Sequence, residues 1–67
     1  MSFRFFKIGV VPVKIEYGKY GPVAAYAFDG KDFKIDNTFI AEAMEGEDVE
    51  ELTEPAFKRL IEEESAS

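Results

Sequence analysis

From Val23 to Asp36 the chain reads VAAYAFDGKDFKID, two short runs of alternating side chains joined by Asp29-Gly30. Asp-Gly readily supplies the two φ > 0 residues of a type I′ turn, so the pattern predicts a β-hairpin with a two-residue loop. In that register Phe28 faces Lys31, Tyr26 faces Phe33 and Ala24 faces Ile35. Ala24, Tyr26, Phe28, Phe33 and Ile35 then share one face, the expected core side. Val23, Ala25, Ala27, Asp32, Lys34 and Asp36 take the other, suited to water or a thin covering.

Between Met1 and Tyr17 the alternation changes parity twice. Phe3 and Phe5 alternate with Arg4; Phe6, Ile8 and Val10 follow; then Val11, Val13, Ile15 and Tyr17 alternate with Pro12, Lys14 and Glu16. Each change of parity asks for an extra residue, a bend or a break. Gly9-Val10-Val11 is the natural place, because Pro12 cannot donate to a central ladder, so residues 3–9 and 11–17 are one kinked strand or two. A four-residue loop pairing Tyr17 with Pro22 would set Ile15 against Ala24, Val13 against Tyr26 and Val11 against Phe28, all on the core side. A five-residue loop pairing Tyr17 with Val23 would send Ile15 and Val13 to the opposite face. The hydrophobic pattern favours the first, on the premise that one face is buried.

Past Ile35 the period becomes helical. Phe39, Ile40, Ala43 and Met44 fall within an arc of about 140°. Asp36 or Asn37 caps the start, with Ile35 and Ile40 placed for a hydrophobic staple if Asp36 is the cap, and Gly46 ends the helix. This helix is expected across the aromatic face. Glu47–Leu52 reads as one acidic turn touching the core through Val49 and Leu52. A second helix starts near Thr53, with Pro55 in its first turn and a stripe of Phe57, Leu60 and Ile61. Glu54 and Lys58 stand four apart in the favourable order, and Glu62–Glu64 oppose the helix dipole, so residues 62–67 are expected to fray. The predicted fold is α+β: an N-terminal antiparallel meander of three to four strands with two C-terminal helices packed on one face.

Sixty-seven residues make one domain, spanning 1–67. A chain this short buries only about 60% of its unfolded surface, and it has no cysteine or histidine to add a disulfide or a structural zinc site. Seven Phe and three Tyr must therefore supply much of the buried area. No apolar run approaches the ~20 residues of a membrane span and no signal-peptide pattern is present, which makes a cytoplasmic location the expectation.

Charge divides the chain. Residues 1–35 carry six basic side chains against three acidic ones, whereas residues 36–67 carry two against eleven. The net charge of −6 repels nucleic acid at long range and attracts basic partners.

Without histidine or cysteine, the commonest general base and nucleophilic triads are missing within one chain, and little volume remains for a cleft that would tune a carboxylate pair. An enzyme is not expected, nor a cofactor. Asp29, Asp32, Asp36 and Asn37 invite a calcium reading, but Lys31 and Phe33 stand where an EF-hand loop needs its third and fifth ligands. Turn, strand and cap explain the same residues, and no metal site is expected. Gly18-Lys19-Tyr20-Gly21 lacks the P-loop spacing and reads as a hairpin loop.

Three surfaces remain. Phe3, Phe5 and Phe6 cannot share one face of a strand, so the cluster is either covered by the chain itself or forms a protein interface or homodimer contact. Glu42, Glu45, Glu47, Asp48, Glu50 and Glu51 are a solvated face or an acidic recognition face, able to occupy the basic, nucleic-acid-binding groove of another protein. Arg4, Lys7, Lys14, Lys19 and Tyr20 are candidate contacts for single-stranded nucleic acid, if they gather on one face. The composition points first to a small non-enzymatic interaction module, docking on a protein partner or self-associating.

Overall fold

The computed structural model describes residues 2–66, an α+β chain in which four N-terminal strands precede two helices. The strands are β1 (Ser2–Ile8), β2 (Val11–Gly18), β3 (Gly21–Phe28) and β4 (Phe33–Ile35). After them come α1 (Thr38–Glu45), a further strand β5 (Val49–Leu52) and α2 (Glu54–Ala66). All pairings are antiparallel, and the sheet order is β4-β3-β2-β1-β5.

Residues 3–17 form two strands. The chain reverses at Gly9, whose φ of +62° suits glycine, and its N–H donates to the Asp48 carbonyl at 2.8 Å. The expected change of parity between Phe5 and Phe6 needs no irregularity. β1 is continuous because it is apolar on both sides: Phe3 and Phe5 face one way, Phe6 and Ile8 the other.

Register corrects the expected core face. Tyr17 does pair with Pro22, but Val23 then bulges, so Glu16 pairs with Ala24, Ile15 with Ala25 and Val13 with Ala27. Val13 and Ile15 thus pack beside small alanines with Phe6 and Ile8, in a cluster joined by Phe39, Ile40 and Ala43 of α1. That is the aliphatic face. Ala24, Tyr26, Phe28 and Phe33 lie on the other, with Phe3, Phe5, Pro12 and Lys14, and there α2 inserts Phe57.

The two helices therefore cover opposite faces of the sheet instead of sharing one, and α1 lies on the aliphatic side. The physical cause is that both faces carry large apolar side chains and a sheet so made needs two coverings. Met44, expected in the apolar arc of α1, is 70% exposed.

The β3–β4 loop is longer than Asp-Gly suggests. Phe28 pairs with Phe33 and Tyr26 with Ile35, because the Asp29 carboxylate accepts from the amides of Lys31 (2.9 Å) and Asp32 (2.8 Å) and closes a wider turn. The shift is by two residues, so the same side chains still share a face.

Asn37 is the N-cap residue of α1, yet its side chain does not cap. Its Oδ1 accepts from Ala25 N–H at 3.0 Å, just past the bond from Asp36 N–H to the Ala25 carbonyl, and so extends the β3 ladder beyond β4. Gly46 closes α1 by donating to the Glu42 carbonyl at 2.7 Å; a Cβ there would sit 2.4 Å from that oxygen.

Glu47–Leu52 is not a turn of helix: Val49–Leu52 forms edge strand β5 beside β1, with Val49 on the aliphatic side and Leu52 on the aromatic side. Thr53 caps α2 through Oγ1 to Ala56 N–H (3.3 Å), and Glu54 pairs with Lys58 at 3.9 Å, as the sequence predicts. Helix α2 continues through Glu62–Glu64 to Ala66, so the segment read as a frayed end is helical there; Ser67 lies outside the described residues.

Candidate functional site

The aromatic face supplies one of two concavities. Helix α2 is narrow in its apolar stripe, and Phe57 fills the space over the sheet by meeting Phe5 at 4.8 Å and Phe33 at 6.0 Å between ring centroids. Phe33 in turn meets Phe28 at 5.0 Å. One helix cannot cover the whole width, and beside it a groove of about 480 Å³ stays open. Its floor is Phe3, Phe5, Phe33 and Lys14; its wall is Phe57 and Ile61, with Glu54, Lys58 and Glu62 along the rim.

Lys14 sits in the middle of this floor because β2 alternates and its neighbours Val13 and Ile15 are needed on the other face. Its ammonium lies 4.3 Å from the Phe33 ring centroid, 5.3 Å from Phe3 and 5.9 Å from Tyr26. Three rings surround one cation, an attraction worth roughly 0.5–1 kcal/mol at an exposed site. Phe3 stands at this end with its ring 6.5 Å from that of Tyr26, and remains 42% exposed at the open lip.

A second concavity lies on the aliphatic side, where α1 ends. Arg4 crosses it, its guanidinium 5.6 Å from the Phe6 ring and 5.5 Å from Tyr17, and it binds Glu51 in a two-pronged pair with Nε to Oε2 at 3.0 Å. The hydrogen bond from Arg4 holds the Glu51 carboxyl below its ordinary range. In the loop between β3 and β4, the amides of Asp32 and Lys31, with Lys34 at 3.3 Å, lower the Asp29 pKa to about 2.

The three candidate surfaces are placed differently. Phe6 is core, 5% exposed on the aliphatic face; Phe5 is half-buried against Phe57; Phe3 alone of the three is at the surface. The acidic residues are all exposed and straddle α1, its following loop and β5, with Glu51 already engaged by Arg4. The basic set does not gather. Arg4 points to the aliphatic side, Lys7 and Lys14 to the aromatic side, and Lys19 and Tyr20 stand at the tip of the β2–β3 turn, 5.6 Å apart from ammonium to ring. Sequence reasoning missed Lys14 as part of the aromatic floor. The signal that could have found it is the strict alternation of Val13, Lys14 and Ile15, once both faces are taken as buried.

Among the described residues no group of three or more histidine, cysteine or acidic side chains is placed to hold a metal ion, and no helix is long and apolar enough to cross a membrane. The fold defines a five-stranded antiparallel sheet with one helix on each side and an aromatic groove beside the second. No family model matches the chain, and no curated protein or solved structure matches it.

Proposed function

We propose that this chain is a small non-enzymatic protein-interaction module, docking through the aromatic groove beside α2 onto a protein partner or a second copy of itself. The observation that carries the reading is the groove itself: an aromatic floor left open at Phe3 and rimmed by charges of both signs. Buried interface patches have this composition, aromatic at the centre and polar at the rim, and a few anchoring rings provide most of their binding energy.

The test pairs Phe3→Ser with Phe6→Ser. Molar mass is followed by light scattering over a concentration series, and protein retained on the immobilised chain is compared. Phe3→Ser is expected to keep its circular dichroism spectrum while losing self-association or the retained partner; Phe6→Ser loses the fold. Monomeric mass at every concentration, with equal retention by native chain and Phe3→Ser, would overturn the reading.

A second reading is supported by the exposure of Glu42, Glu45, Glu47, Asp48 and Glu50: an acidic surface that occupies a basic groove in another protein. It differs in its salt response, since exposed charges are screened and ring burial is not.

A further inference from the structure

The open edge of β5 goes beyond the groove reading. Gly9 N–H donates to the Asp48 carbonyl, and antiparallel pairs alternate between bonded and non-bonded, so Lys7/Glu50 and Phe5/Leu52 are bonded pairs. The main-chain groups of Val49 and Glu51 consequently point away from β1, on the outer edge of the sheet. Such an edge is a template for another strand.

Charge decides which strand. If a second β5 paired antiparallel about Glu50, the two Glu50 side chains would stand directly opposite, a like-charge contact that destabilises the pair. Glu47, Asp48 and Glu50 form no ion pair among the described residues, whereas Glu51 is neutralised by Arg4. We propose that the β5 edge receives an extended basic segment of a partner protein as a sixth, antiparallel strand. Alternation fixes its pattern: apolar residues opposite Val49 and Leu52, Lys or Arg opposite Glu50, and further Lys or Arg towards Asp48 and Glu47. Main-chain bonds hold the segment, and the carboxylates select its sign.

The probe is the labelled peptide Val-Thr-Lys-Val-Lys-Lys, set beside two analogues: one with Glu for each Lys, and one with Pro for the Val that would lie opposite Val49. The proline analogue keeps all the charge and loses one amide donor. Binding is followed by anisotropy, and the site by amide exchange. The basic peptide is expected to bind, to slow exchange at Val49 and Glu51 about tenfold or more, and to bind Phe3→Ser equally well. Glu50→Lys is expected to weaken it about tenfold. Equal binding of the proline analogue would reduce the effect to diffuse charge attraction and overturn the proposal. So would no binding at all, or shifts confined to Phe3 and Phe57; the last would leave the groove reading standing.

Discussion

The two faces of the sheet solve the same problem with different side chains. On the aliphatic face, Val13 and Ile15 lie flat against Ala25 and Ala27 and are fully buried under α1. Large against small leaves no gap around these two side chains, and the aliphatic face opens only at its margin, where α1 ends beside Arg4. On the aromatic face, Phe3, Phe5, Phe28 and Phe33 stand under one helix that contributes a single buried ring, Phe57. Rings meet at tilted angles and cannot tile a surface this wide, so part of the face stays open as a groove. Tight packing supports the fold, and the unfinished packing opposite leaves the groove on which the proposed docking rests.

The sharpest way to break that contrast is to compare two residues of one strand. Phe6→Ala removes a ring from the aliphatic face and should cost ~3–5 kcal/mol, comparable to what a core of this size supplies altogether. Phe3→Ala, on the open face, should cost under about 1 kcal/mol. Urea unfolding of the two reads the difference, and similar losses would mean that the aromatic face is packed as tightly. Next in size is Asn37→Ala, which leaves the fully buried Ala25 without a partner for its N–H and should cost about 1–3 kcal/mol. Asn37→Asp, which keeps an acceptor oxygen, should recover much of that.

Lys14→Met tests the open face from within. Losing the ammonium over three rings should change stability by less than about 1 kcal/mol. A larger loss would make the cation part of the core. The smallest effect is acid-dependent. Asp29 has a folded pKa lowered from 3.8 to about 2, so the stability it contributes is complete above 3.8 and is lost as pH falls towards 2. In Asp29→Asn the acceptor stays and the charge goes, so the protection of β4 amides, relative to the intrinsic exchange rate at each pH, should lose its pH dependence in that window.

The hairpin around Asp29-Gly30, both helices and their starts are legible in the sequence, because turn chemistry and capping act locally. Even the miscounted loop kept the right side chains together, since a slip of two preserves parity. What could not be read was which strands share a face. The choice between registers for Ile15 rested on one buried face, and with Phe3 and Phe5 opposed to Phe6 and Ile8 the sheet has two. Both registers bury apolar side chains, so the pattern does not separate them; the bulge at Val23 does. Strand β5 was hidden for the same reason. Val49 and Leu52 are three apart, a helical spacing on one face and a strand spacing only if each meets a different face. The groove is legible as an excess of Phe, and its position beside α2 is not, because it depends on all of these choices together.

The partnership of β1 with β5 also sets a timetable. Arg4 and Glu51 are 47 positions apart, and every intervening element lies between them in the chain. As the polypeptide leaves the ribosome, the first hairpin has its turn and one neighbour early, while the other side of β1 waits for Val49–Leu52 to emerge. During that interval the main-chain groups of Phe5 and Lys7 that β5 will pair are bare. The nascent chain is then open to stray pairing along β1, and that exposure passes to the outer edge of β5 once Val49–Leu52 docks.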